Sequence, residues 1–196
     1  MLKRDMNTQR SGIFVYLLPV LIGAAVFVAC GSGTRHRSAS PLAPPSTAAA
    51  VDANLSASDF RNVNLMTRIG DHFIDNVRGQ LAEALAVAHA GRGSYPVGTI
   101  IQLVPQEAMV KRRNSFSPAT NDWEFFSLDV SPTGTRILAR GGASVLNRFG
   151  GSCASCHSAA RTEFDFVCGT NHGCAPLPIG PSVFAALQRS DPRPRR

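Results

Sequence analysis

Apolar side chains recur every three to four residues through "SDFRNVNLMTRIGDHFIDNVRGQLAEALAVAHAG", residues 58–91, a spacing that predicts helix with a break at Gly70 and a stop at Gly91. Beyond Gly91 the period shortens. "GTIIQLV", "EAMVKR", "WEFFSLDV" and "TRILAR" are brief β-branched or aromatic runs separated by Pro, Asn, Asp and Gly, and they predict four strands. "SPTG", between Val130 and Thr135, reads as the turn of a hairpin. Helical pattern returns around "ASVLNRFGGSCASCHSAA", and "PIGPSVFAALQRS" predicts a short closing helix. The fold class expected is α+β: a predominantly antiparallel β domain with flanking helices and a C-terminal helix carrying Cys153-Ala-Ser-Cys156-His157.

The ends of the chain have a different character. Lys3, Arg4 and Arg10 precede "GIFVYLLPVLIGAAVFVA", and small residues lead to Cys30. A basic start, an apolar core and small residues before a cut describe a secretory signal over residues 1–29. "FVAC" also resembles the lipobox of bacterial lipoproteins, which would make Cys30 the first mature residue and its lipid carrier. The alternative is an uncleaved anchor, since the run approaches the ~20 apolar residues that span a bilayer, with Pro19 interrupting it. Either way, the rest of the chain is expected in the bacterial periplasm or at the cell exterior, held at the membrane. Residues 30–55, rich in Ser, Ala, Pro and Gly, read as a flexible tether. Residues 191–196 read as a disordered basic tail. One domain, residues 56–190, remains.

Charge changes this picture little. Of a formal net charge of +7, two belong to residues 1–29, one to the linker and two to the tail, which leaves +2 for residues 53–190. No dense Lys/Arg stripe occurs there, and nucleic-acid binding is excluded as an expectation.

Five cysteines in an exported chain need an account. Cys30 takes lipid, Cys153 and Cys156 form the C-x-x-C-H motif, and Cys168 and Cys174 in "CGTNHGC" are left to pair across a short loop. C-x-x-C-H reads as c-type haem attachment, in which both thiols add to porphyrin vinyl groups and the histidine becomes the proximal iron ligand. One helical turn puts all three groups against the same macrocycle edge. A zinc site would need two more ligands in a compact motif, and a thioredoxin-like site a preceding strand in a βαβ setting. Neither pattern accompanies the motif, although both readings stay open. Candidates for a sixth iron ligand are Met66, Met109, His72, His89 and His172, with Trp123 assigned to the core.

Taken in order, "YPVGTIIQLV", "QEAMVK", "NDWEFFSLDV", "CASCHSAA" and "FDFV" resemble the cytochrome P-460 family and its relatives, the β-type cytochromes c-prime, over roughly residues 95–170. The resemblance implies a mostly β domain, usually a homodimer, with one covalent haem c that has histidine on one side and an open or lightly covered distal face. It places Cys153 and Cys156 as the covalent attachment points, His157 as proximal ligand and Glu107 as a distal acid/base able to accept protons from hydroxylamine. The lysine that P-460 proteins cross-link to porphyrin aligns with Leu103. The only lysine after Cys30 is Lys111. That departure shifts the expectation from hydroxylamine oxidation to a distal face lined by Leu103, Phe125 or Phe126, with Met109 as a candidate sixth ligand. The function expected is an extracytoplasmic mono-haem c-type cytochrome that binds nitric oxide or a similar small ligand, or passes single electrons to a redox partner. The alternatives are an oxidoreductase acting on hydroxylamine or peroxide, and a simple carrier with six-coordinate iron.

Overall fold

The structure, a computed structural model, describes residues 52–148 and 150–195. The signal segment, Cys30, the tether as far as residue 51, Phe149 and Arg196 lie outside the described residues. Six strands run in chain order: β1 (Thr67–Ile69), β2 (His72–Asn76), β3 (Thr99–Gln102), β4 (Glu107–Lys111), β5 (Trp123–Ser131) and β6 (Gly134–Gly141). Each pairs antiparallel with the next, so the sheet is a meander. Among the described residues three α-helices accompany it: α1 (Leu81–Ala90) between β2 and β3, then α2 (Cys153–His157) and α3 (Pro181–Arg189) after the last strand. The fold is therefore α+β with an antiparallel sheet.

Successive side chains on a strand point to opposite faces, and here both faces are covered. On one face Ile74 stands opposite Ile101, Ile101 opposite Met109, and Met109 opposite Phe125, a continuous apolar row across four strands. That row packs with Ala84 of α1 and with Cys153 and Ala154 of α2. On the other face Phe73, Ile100, Val110, Phe126 and Leu128 pack with Phe60, Val63 and Met66. Fully burying one such side chain contributes roughly 1.5–3 kcal/mol. Two covered faces explain why all four residues of β3, Thr99-Ile100-Ile101-Gln102, are buried rather than every second one. Trp123 is fully buried on the α2 side of the sheet.

Several expectations need correction. The helix predicted over 58–91 exists only as α1, which does end at Gly91, left-handed at φ +62°. Upstream lie two single 3₁₀ turns, Ala57–Asp59 and Val63–Leu65, and then the β1–β2 hairpin. The hairpin turns on Gly70, whose φ of +58° costs glycine nothing. The pairing of β2 with β3, from Phe73–Gln102 to Asn76–Thr99, overrides the local helical spacing. Around the cysteine motif, helix is limited to the single turn of α2.

The domain also reaches past both expected boundaries. Ala53 and Leu55, assigned to the tether, are buried against Phe60 and Phe126. Asp191 and Arg193, assigned to a disordered tail, are buried as an ion pair of 2.6 Å. Among the described residues no helix is long and apolar enough to cross a membrane.

Candidate haem-attachment site

The C-x-x-C-H motif is held by its own backbone first. Ser152 caps α2, its hydroxyl accepting from the Ser155 N–H at 3.3 Å, and the Cys153 N–H donates to the Val145 carbonyl at 3.0 Å. Residues at i, i+3 and i+4 share one side of a helical turn, so Cys153, Cys156 and His157 stand together. Both cysteines are free thiols, Cys153 buried and Cys156 exposed. Burial, followed by the nearby charge of Glu107, pushes the Cys153 thiol up to about 11.

His157 is the best-defined group of the site. Its Nδ1 lies 2.7 Å from the Phe166 carbonyl oxygen. A carbonyl only accepts, so Nδ1 carries the proton and Nε2 is left bare. Burial holds the imidazole below its ordinary range, with the carbonyl pulling weakly the other way. The ring packs 5.0 Å from Phe125, on the apolar row of the sheet. A neutral imidazole whose far nitrogen is fixed by a carbonyl is the usual state of a metal-ligating histidine. Two free thiols on the same helical turn complete a donor set that fits a c-type haem. Among the described residues no group of three or more His, Cys, Asp or Glu side chains is arranged to hold a metal ion by itself.

The Phe166 carbonyl is aimed by an unusual stretch of backbone. Asp165 and Phe166 are both left-handed, at φ +51° and +63°. Neither is glycine, and each such residue costs on the order of 1–3 kcal/mol unless its surroundings compensate. Compensation converges on Asp165. Its carboxylate accepts from Lys111 Nζ at 2.6 Å, from the Tyr95 N–H at 2.8 Å and from the Asn121 side-chain amide. Its own carbonyl accepts from Trp123 Nε1 at 2.6 Å. Lys111 is also bound to the Asn121 carbonyl and lies over the Trp123 ring. Both residues lie in the "FDFV" segment, but nothing in that segment assigns Asp165 or Phe166 a role toward His157. The signal was Lys111: the only lysine after Cys30 sits at the same strand parity as Met109, and an inward lysine needs a buried anion.

Other predicted residues fall in different places. Met109 and Phe125 belong to the same apolar cluster as Cys153. Phe126, the neighbour of Phe125 on β5, points to the opposite face and packs 4.7 Å from Phe60, so these two phenylalanines do not line one pocket. Met66 is on that opposite face too. Leu103 is half-buried and belongs to neither cluster, and its carbonyl accepts from Gln188 Nε2 at 2.9 Å. Glu107 is near Cys153, but its carboxylate accepts from the Arg148 N–H at 2.9 Å and so braces the segment before α2. His89 is exposed in the last turn of α1. Cys168 and Cys174 form a disulfide with Cα atoms 5.6 Å apart.

Two further histidines tie down the residues that follow Phe166. His172 donates Nδ1–H to the Val167 carbonyl at 2.7 Å and stacks on Phe164 at 3.8 Å. His72 bonds the Cys168 backbone, and burial, with His157 next in weight, pushes it down to about 4. Both line a cavity of about 250 Å³ whose apolar walls include Ile74, Val87, Ile101 and Tyr95. The shift of His72 has a consequence for stability. Between pH 6.5 and 4 the unfolded chain binds a proton at His72 that the folded chain does not. Stability is therefore whole above pH 6.5 and falls by about 3 kcal/mol as pH drops toward 4. Urea midpoints at pH 7 and pH 4.5 should diverge markedly less for His72→Gln than for the unaltered protein.

No family model, curated protein or solved structure matches the chain.

Proposed function

We propose that the chain is an extracytoplasmic mono-haem c-type cytochrome of the cytochrome P-460-like kind, binding nitric oxide or a similarly small ligand. One observation carries the reading: His157 presents a bare Nε2 while Nδ1 is fixed to the Phe166 carbonyl, one helical turn from two free thiols. Cys153 and Cys156 would hold the porphyrin by thioether bonds and His157 would ligate its iron. When bound, the haem supplies an iron that takes up small ligands or exchanges one electron. The chain's own residues do the rest. The Phe166 carbonyl keeps His157 in one tautomer and orientation. Phe125 and Met109 give the site an apolar wall, which favours uncharged ligands because desolvating an ion there is costly. One oxygen of the Glu107 carboxylate accepts from the Arg148 N–H and so braces the segment before α2.

The Cys168–Cys174 disulfide supports an oxidising compartment, in keeping with an export signal and a lipid on Cys30 as the membrane tether. The test is an absorption spectrum of protein exported from a host that matures haem, taken oxidised, reduced, and reduced with carbon monoxide. The reading expects one covalent haem per chain and a broad high-spin spectrum that shifts with carbon monoxide. Sharp low-spin bands untouched by carbon monoxide would assign it instead to six-coordinate electron carriers. A colourless product would remove haem altogether.

A further inference from the structure

We infer that Asp165, through its buried pair with Lys111, is the positioning residue that fixes His157 as a ligand. The inference rests on the haem reading for its effect on iron, but not for its effect on the imidazole. The path is short, and its Lys111–Asp165 end is buried while Phe166 and His157 are half-buried. Lys111 Nζ holds the Asp165 carboxylate at 2.6 Å, and side-chain exposures of 8% and 3% leave neither group to water. Asp165 also takes the Tyr95 N–H, and its carbonyl takes Trp123 Nε1, so both the side chain and the backbone of one residue are anchored to the sheet side of the core. With Asp165 pinned, the chain turns through two consecutive left-handed residues, and the second of them delivers its carbonyl to His157 Nδ1. Strained backbone survives where its surroundings over-determine it. Here the over-determination ends at the proposed iron ligand.

The same geometry leaves Lys111 in a role unlike that of a lysine bonded to porphyrin. Its ammonium group already serves Asp165 and the Asn121 carbonyl, 2.6 and 2.8 Å away. Lysine and aspartate act as a structural clamp whose output is the strength of one N–H···O=C bond. A firm bond at Nδ1 makes imidazole a stronger electron donor through Nε2 and favours the oxidised metal. Loosening the clamp should weaken that donation and raise the reduction potential.

The variants are Asp165→Asn and Lys111→Met in the full chain, with Arg193→Ala as a destabilised control far from the path. Asparagine keeps the shape of the side chain and tolerates left-handed φ, so Asp165→Asn removes the charge without removing the turn. Two measurements are needed. Nitrogen-15 NMR of the chain produced without haem reports the His157 tautomer, and redox titration of the haem-loaded chain reports the midpoint potential. The unaltered protein should show a single Nδ1–H tautomer. Both variants should mix in the other tautomer and raise the potential by up to roughly a tenfold change in the oxidised-to-reduced ratio, about 59 mV for one electron. Arg193→Ala should change neither. Unchanged tautomer and potential in Asp165→Asn would overturn the inference, as would equal shifts in the Arg193→Ala control. If the chain carries no haem, the haem reading falls while the tautomer result still decides the role of Asp165.

Discussion

Arg193→Ala is expected to cost about 3–5 kcal/mol, the size of effect seen when one partner of a buried ion pair is removed. Arg193 and Asp191 have side-chain exposures of 1% and 0%. The guanidinium bonds both Asp191 oxygens and donates to the Phe60 carbonyl at 2.7 Å. Asn62 donates to the Asp191 and Arg193 carbonyls, and the Val63 N–H donates to the Asp191 carboxylate. The last residues of the chain thus knit to the 3₁₀ turns that precede β1. Deleting the guanidinium leaves a carboxylate in the core with only backbone N–H groups to face. Arg195 is exposed, and Arg195→Ala should stay within about 0.5 kcal/mol of the unaltered protein. Urea titration checks the pair: the midpoint should fall sharply for Arg193→Ala, with the slope unchanged. If the two variants melt alike, the tail is not docked in solution.

That tail shows where the sequence stops being readable. "SDPRPRR" has the composition of an unfolded segment, and no local pattern reveals that Asp191 and Arg193 meet Phe60, Asn62 and Val63, about 130 residues away. β3 to β6 were legible because their apolar runs are short, rich in Ile, Val and Phe, and cut by turn residues. The "SPTG" turn lies where β5 and β6 join, with Ser131 opposite Gly134. The region before α1 was not legible, since Phe60, Val63 and Met66 have the spacing of a helix face while their burial comes from separate 3₁₀ turns packed on the sheet. What decides the local structure there is the pairing of β2 with a strand 27 residues on, as Ile74 meets Ile101.

The site divides the same way. The cysteines and His157 announced themselves through spacing, a local property, and the Cys168–Cys174 pairing followed from counting thiols and is present. Strand parity is local too, and it puts Phe125 and Phe126, adjacent on one strand, on opposite faces of the sheet. The Asp165 clamp joins residues 95, 111, 121, 123 and 165, and no single stretch of chain contains it. Packing separates the candidates: Phe125, named for the distal face, and Met109, named as a sixth ligand, share an apolar cluster with Cys153, and Leu103 is in neither cluster.

Replacing Cys153 and Cys156 together by alanine should abolish covalent haem while leaving the fold in place. Neither thiol is bonded to another residue, and only the packing of the buried Cys153 sulfur is lost. Cys156 is exposed, and Cys153 contributes its backbone N–H to Val145, a bond that alanine keeps. α2 also tolerates alanine well, the residue of highest helix propensity. His157 would retain its bond to Phe166, because that bond depends on Asp165 and not on the thiols. The double variant therefore separates attachment from ligation. Acidified organic solvent should extract no haem from the unaltered protein and all of it from the double variant, and each single variant should keep its haem through one thioether. Haem that resists extraction from the double variant would mean that another residue forms the covalent link. Equal absence of haem from the unaltered protein and the variant would leave the two thiols to redox chemistry, for which the raised pKa of Cys153, about 11, makes a poor starting nucleophile. The imbalance between a buried, protonated Cys153 and an exposed Cys156 also orders the singles: access to solvent should make Cys156 the faster of the two to react with an added thiol reagent in the haem-free chain.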